Sequence, residues 1–384
     1  MGTRQTSDGL SGPLYEHPLV IQTAYAELRQ LCLDEQAETP GVDILAFDAT
    51  GRLSATSKTI RGKVYWYAQY TDAEGKRRQS YLGPDDDPKT QQSLQRLRSG
   101  VGEDDLLQRR NLVRLLKQAG YGAPTHLACG ALTAMHRIGL FRAGMHLVGT
   151  PAYQAILNRL GVQERPLSMT NDVDVAIEHI SLSLPGDVDI QQSLAEWSHR
   201  LFAVPSLDRD GRETSLKIRG KDFRIDFLAP GLSTEEGSAV SVPSLGFHAT
   251  RMPFMDYLLA DAEQTLVLTP IGALVPAPNA ARFMLHKLAV AASRPAAWES
   301  KRKKDIHQAK NLYLALREQD PESLETAIKA ALTTLEPALL LSRISAGLAR
   351  PDAQALGALR ARVQTLLSDA AQAPRNVSTP RTKG

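Results

Sequence analysis

The sequence predicts an α/β (α+β) centre built on a mixed sheet, preceded by a helix plus β-hairpin module and followed by an all-helical C-terminal domain. Three observations predict this. Residues 141–230 alternate short apolar strand-like runs with helical stretches. Residues 62–88, GKVYWYAQYTDAEGKRRQSYLGPDDDP, alternate side chains with period two on either side of a polar turn. From Pro278 to about residue 370, the apolar pattern is helical.

The elements follow in order. Residues 1–13 are polar and read as frayed. Residues 14–38 space Leu14, Ile21, Leu28 and Leu31 as a helix, which Pro40 and Gly41 close. In the hairpin, Val64, Trp66, Ala68 and Tyr70 alternate with Tyr65, Tyr67 and Gln69; Asp72–Gly75 turn the chain and Arg77–Leu82 return it. Helices are expected at about 103–119, opened by Glu103, Asp104 and Asp105, and at about 124–140. Strands are expected at Gly144–Val148, Val173–Ile177, Leu216–Ile218 and Phe223–Leu228, with a helix from Pro151 to Leu160 and a further β-like stretch at Leu266–Val275. The expected division is a hairpin module at 1–120, a core at 121–276, a helical domain at 277–370 and a disordered tail at 371–384.

Bulk composition narrows the function little. Of 384 residues, 42% are hydrophobic and 23% charged, the balance of a globular protein with a core of its own. Net charge is +3, from 45 basic and 42 acidic residues, which does not by itself announce a nucleic-acid partner. Cys32 and Cys129 form no CxxC pair, so neither a disulfide framework nor a zinc site is expected, and a reducing cytoplasm is the expected location. No apolar run approaches the ~18 residues of a membrane span.

The chemistry-bearing residues come in three pieces. In HLVGTPAYQ, His146–Val148 reads as a strand, Gly149 as a tight turn, Thr150 as a helix N-cap and Pro151 as the first helical residue. Free N–H groups at such a helix start favour a phosphate, although the segment also reads as a plain strand-to-helix connection. In MTNDVDVAIEH, Asp172 and Asp174 are two apart on a strand, so both carboxylates project from one face. Like charges so placed repel unless a cation lies between them, and Mg²⁺ takes such hard oxygens. The alternative is a solvated strand end. In KIRGKDFRIDFLAP, Asp226 sits mid-strand between Ile225 and Phe227, where an acid needs a metal or a partner; Arg224, on the same face, is the partner the period-two rule offers. A phosphate-binding turn, an Asp-x-Asp strand and a later lone Asp together suit two-metal transfer of a nucleotidyl group. Asp187-Val188-Asp189 repeats the tripeptide but follows the loop signal Leu184-Pro185-Gly186 and reads as a turn and helix start.

These residues resemble the DNA polymerase β-like nucleotidyltransferase superfamily, whose members carry a Gly-Ser/Thr turn, an Asp-x-Asp strand and a third carboxylate strand. The chain is similar to a bacterial branch of that fold in its YWYAQY hairpin, its YLGP segment and its PNAARFMLHKLAVAASRP and KRKKDIHQAKNLY stretches, over roughly residues 60–320. One departure stands out. The family places its Asp pair soon after the Gly-Ser turn, whereas Thr150 and Asp172 are 22 positions apart (172 − 150). The resemblance implies Mg²⁺ or Mn²⁺ at Asp172, Asp174 and Asp226, an NTP as substrate cradled by Gly149 and Thr150, and a hydroxyl acceptor on RNA such as tRNA, on protein or on a small molecule, in a toxin- or defence-type enzyme. By likeness to toxin-type transferases, Lys287 and Asp305 join the nucleotide site. From the residues themselves, Lys287 equally snorkels to solvent and Asp305 equally pairs with Lys301 four positions before it.

A second class of function is a nucleic-acid-binding or regulatory protein on an inactive transferase fold. Tyr65, Trp66, Tyr67, Tyr70 and Tyr81 with Lys76, Arg77 and Arg78 would then grip RNA or DNA, joined by the Lys301–Lys304 run. The competing reading is a small sheet that packs its aromatics inward beside a solvated basic turn.

Overall fold

The computed structural model describes residues 14–38, 54–71, 77–99, 101–137, 140–141, 143–165, 170–177, 189–195, 197–205 and 211–372. It forms two compact units, Met1–Asn279 and Ala280–Gly384.

The first unit opens with β1 (Leu14–Glu16), α1 (Leu19–Glu38), β2 (Ser54–Ile60), β3 (Lys63–Thr71), β4 (Arg77–Pro84), α2 (Pro88–Ser99), α3 (Val101–Gln118) and α4 (His126–Arg137). The helix expected from residue 14 therefore starts five residues later. Pro18 disfavours helical backbone in the residue before it, and Leu14–Glu16 pair instead with β6 (Val162–Glu164). The hairpin gains a third strand: β2 pairs antiparallel with β3 and β3 with β4. Arg61 and Gly62 both take positive φ in the two-residue β2–β3 turn, the primed geometry that matches strand twist. Neither β2 nor α2 announces itself, because each carries few apolar residues. Ala68, Leu82 and Leu94 make a small core between sheet and helix, with Trp66 and Leu97 packed against it.

The larger core joins α1 to α3 through Tyr25, Leu28, Cys32, Leu112 and Leu116. It also takes in Leu266 and Leu274 from the hairpin of β13 (Glu263–Val267) and β14 (Ala273–Ala277). The single stretch expected at 266–275 is thus two strands. Buried Arg109 holds their turn, donating from Nε to the Ile271 carbonyl at 2.8 Å and from Nη2 to that of Gly272 at 3.0 Å.

His17 docks the amino-terminal segment. Its ring stacks on Tyr121 with centroids 3.9 Å apart, and Nε2 is buried without a hydrogen-bond partner among the described residues. Burial, helped by the nearby Arg165 charge, pushes the His17 pKa down to about 4 from its ordinary 6.5. The unfolded chain takes up the proton first, so His17 contributes fully above about pH 6.5 and its contribution is lost as pH falls towards 4. Denaturant titrations of wild type should show this loss between pH 7 and pH 5. His17→Phe, which keeps the stack, should remove about 2 kcal/mol of that pH dependence. Equal pH dependence in both proteins would rule out His17 as its source.

The central sheet is mixed, with seven strands among the described residues, in the path β11-β12-β10-β7-β5 and with β8 and β9 branching from β10. The members are β5 (Met145–Val148), β7 (Asp172–Ile177), β8 (Leu201–Pro205), β9 (Glu213–Ile218), β10 (Arg224–Gly231), β11 (Ala239–Val242) and β12 (Phe247–Pro253). Three short helices accompany them: α5 (Gly149–Arg159), α6 (Ile190–Ala195) and α7 (Met255–Leu259). β10 is parallel to β7 and to β12, and antiparallel to β9. Val173, Val175, Ile225 and Phe227 are fully buried on one face of β7 and β10, which turns the intervening polar residues to the other. Of the repeated Asp-Val-Asp, Asp187 and Val188 lie outside the described residues. Asp189 Oδ1 accepts from the Gln192 N–H at 2.9 Å and caps α6, a helix start as expected.

The second unit is helical throughout its described residues: α8 (Ala280–Ser293), α9 (Glu299–Gln319), α10 (Pro321–Ala330), α11 (Pro337–Leu348) and α12 (Gly357–Gln372). α8 is apolar almost all round and is the buried centre of the bundle. Gly347 on α11 lets the two helices approach closely, since a Cβ there would overlap the Leu288 carbonyl. Asp320 caps α10 by accepting from the Ser323 N–H, with Pro321 in the first helical position. α12 runs to Gln372, so residues 371 and 372 are helical rather than tail; 373–384 lie outside the described residues. No helix among the described residues is long and apolar enough to cross a membrane.

Candidate active site

Two strand registers assemble the carboxylates. β7 and β10 run parallel with Asp174 opposite Asp226 and Asp172 opposite Arg224. Cross-strand neighbours share a face, so Asp172, Asp174, Arg224 and Asp226 all belong to the face opposite the buried Val and Phe side chains. Asp172 is exposed; Asp174 and Asp226 are half-buried. On its other side β7 pairs antiparallel with β5, and Val148 lies opposite Asp174. One row across three strands therefore reads Val148, Asp174, Asp226, and the residue after Val148 is Gly149.

Gly149 takes φ +68°, and a Cβ there would overlap Oδ2 of Asp174. The turn and the carboxylate strand thus meet, despite the 22 positions between Thr150 and Asp172. The chain leaves the turn through α5 and β6 and comes back as β7 beside the strand it left. Sequence spacing along the loop has no bearing on that contact; antiparallel pairing decides it. Only glycine fits both the backbone angle and the close approach.

The start of α5 differs from expectation. The helix begins at Gly149, with Val148 in the cap position, and Thr150 is a buried residue inside the first turn rather than the N-cap. Valine offers no side-chain acceptor, and no side-chain cap bond is present. The helix end with its partial positive charge is directed to the strand junction where Asp174 lies.

Asp226 is held by two donors. Its Oδ1 accepts from Arg224 Nε at 2.5 Å and from Ser215 Oγ at 2.5 Å, and Arg224 Nη2 donates to Ser215 Oγ at 2.7 Å. Arg224 is the partner that period two offers. Ser215 went unread in the sequence. The signal that finds it is the tight β9–β10 hairpin, whose antiparallel register sets Ser215 opposite Asp226.

Among the described residues, no three His, Cys, Asp or Glu side chains converge as a ready metal cage. Asp172 and Asp174 still fit a hard divalent cation in donor type and in strand spacing. Mg²⁺ commonly takes one or two carboxylates and completes its shell with water and substrate phosphates.

Lys287 and Asp305 lie in the second unit and are brought to each other. Lys287 Nζ donates to Asp305 Oδ1 at 2.9 Å, and Arg294 Nε donates to Oδ2 at 2.5 Å. Asp305 is buried, with its side chain 3% exposed. Burial alone would raise its pKa, but the Lys287 ammonium and Arg294 guanidinium together hold it below the usual carboxylate range. The Asp305 partner is thus Lys287 from α8 and not Lys301, and Lys287 does not snorkel. Arg77, the first residue of β4, is exposed; Arg78 follows it, opposite Tyr70; Lys76 lies outside the described residues.

A family model described as a nucleotidyltransferase matches residues 126–333, more than half of the chain, from the start of α4 to just past α10. No curated protein and no solved structure matches it.

Proposed function

The chain belongs to this nucleotidyltransferase family, and from that premise we propose that it moves an NMP from an NTP to a hydroxyl acceptor at the row formed by Gly149, Asp174 and Asp226. The observation that supports this reading is the register: Asp174 is flanked by the strand that ends in the glycine turn and by Asp226. Phosphate-directed backbone and paired acids thereby face one place, in a polymerase β-like arrangement.

In this reading Asp172 and Asp174 hold Mg²⁺ or Mn²⁺. The bound cation would supply charge neutralisation at the transferring phosphorus and at the departing pyrophosphate. The start of α5 at Gly149 and Thr150 receives the β- and γ-phosphates through backbone N–H groups. Asp226, its orientation fixed by Arg224 and Ser215, takes the proton of the acceptor hydroxyl through its second oxygen. The acceptor oxygen then bonds to the α-phosphorus as the bond to the bridging oxygen breaks and pyrophosphate leaves.

The first experiment incubates purified protein with Mg²⁺, each of the four α-labelled NTPs and total bacterial RNA plus protein. Label moving into macromolecule is expected, and it identifies base and acceptor class together. Absence of transfer with every NTP, and with small-molecule hydroxyl acceptors, would overturn the reading. One observation favours the alternative of a binding protein on an inactive fold: the Arg224 ion pair on Asp226 occupies an acid that catalysis requires. That alternative predicts no label transfer at all.

A further inference from the structure

The three-stranded sheet β2–β4 has two unlike faces. One carries Ala55, Trp66 and Ala68 and is packed on α2 around Leu94. The register puts Thr56, Lys58 and Ile60 of β2 on the opposite face, with Lys63, Tyr65, Tyr67 and Gln69 of β3 and Arg77 and Gln79 of β4. Lys58, Lys63, Arg77 and Gln79 are exposed, and Tyr65 and Tyr67 are half-buried. No acidic residue occupies a described position of this face. In a chain with 42 acids against 45 bases, a face with three cations and no carboxylate is a local departure from the mean.

The geometry points to this face as a surface for a single strand of nucleic acid. Its cations suit phosphates, its two tyrosines suit bases, and the opposed Gln69 and Gln79 suit base edges. Tyr65 and Tyr67 lie about 7 Å apart along β3, with rings presented to the same side. That spacing serves splayed bases of an extended strand, which stack on sheet aromatics; a duplex keeps its bases stacked on each other. Lys58 Nζ rests over the Tyr67 ring, 4.7 Å from its centroid. An arriving base displaces that ammonium, which then meets the adjoining phosphate. Arg61, exposed in the β2–β3 turn, adds a further cation next to these strands. The inference goes beyond the transfer reaction and does not rest on it, because it concerns where a strand lies rather than what becomes of it.

The test is fluorescence anisotropy on the full-length protein without NTP. The probes are a labelled single-stranded 20-mer RNA, a DNA strand of the same sequence and its duplex. Wild type should bind the single strands, with affinity falling steeply as salt rises. Lys58→Gln/Lys63→Gln, both exposed, should weaken binding several-fold and flatten the salt slope by about 1.4, at ~0.7 per phosphate contact on a single strand. Tyr65→Leu/Tyr67→Leu should weaken binding by about thirtyfold or more with the salt slope unchanged. Equal binding of RNA and DNA strands supports the surface without ribose selection. No binding by wild type at low salt, lysine variants that bind as wild type does, or tighter binding of the duplex would each overturn the proposal. The readout is binding alone, so a protein that transfers label but binds no strand refutes this inference and leaves the transferase reading standing.

Discussion

Replacing Asp174 with asparagine should lower nucleotidyl transfer on the order of 1000-fold, because in the proposed reading it removes a carboxylate that holds the cation, and with it several kcal/mol of charge stabilisation at about 1.4 kcal/mol per tenfold. Folding should not suffer. Asp174 lies between Gly149 and Asp226 on a face with a second aspartate two residues away, and asparagine keeps its shape while relieving like-charge repulsion. Thermal melts and label-transfer rates on the same preparations measure both quantities. Activity lost at unchanged or raised stability is the mark of a site residue. Activity retained within tenfold would remove Asp174 from the mechanism. Asp226→Asn gives a useful contrast, since it also weakens the Arg224 ion pair. With Arg224 41% exposed, that loss should cost no more than about 1 kcal/mol.

Asp305→Asn should act the other way, on stability before chemistry. The substitution leaves Lys287 and Arg294 facing a neutral amide inside the helical unit, where side chains of 14% and 22% exposure have little water to turn to. Breaking such a pair from one side costs about 3 kcal/mol. The sign of the pH effect follows from the depressed pKa. The Asp305 contribution is complete above the ordinary carboxylate range and is lost as pH falls through its lower folded value. Wild type should therefore lose this increment in acid, below about pH 4, while Asp305→Asn lacks it at every pH. Denaturant unfolding at pH 7 and at about pH 2, well below the ordinary carboxylate range, reads the difference. A variant as stable as wild type at pH 7 would show that the pair contributes nothing net.

The sequence by itself determined what is local. Alternating burial along Arg224–Gly231 follows from period-two patterning, and the placement of Asp172 beside Asp174 on one face follows from strand geometry alone. The helical second unit follows from apolar periodicity after Pro278, and the breakers Pro18, Pro321 and Pro337 stand at helix starts as backbone sterics require. Gly149 was legible as a turn glycine, but not as the residue a carboxylate rests against.

What pairs with what belongs to the tertiary structure. The register that sets Asp174 against Val148 and Asp226 joins residues far apart in sequence through hydrogen bonds between strands, and no local spacing encodes it. The same holds for Ser215, which joins the expected Arg224 on Asp226, and for Lys287 on Asp305, where local spacing suggested Lys301 and packing supplied a residue from another helix. Strand β2 and helix α2 were silent because a polar edge strand and a polar helix carry little hydrophobic period to read; pairing and packing with β3 and β4 make them. Thr150 lost its expected cap position because the β5–β7 ladder carries the strand through Val148 and the helix starts directly after it. Local sterics choose the elements, while long-range hydrogen bonding and burial choose their neighbours, and in this chain the candidate site is made of neighbours.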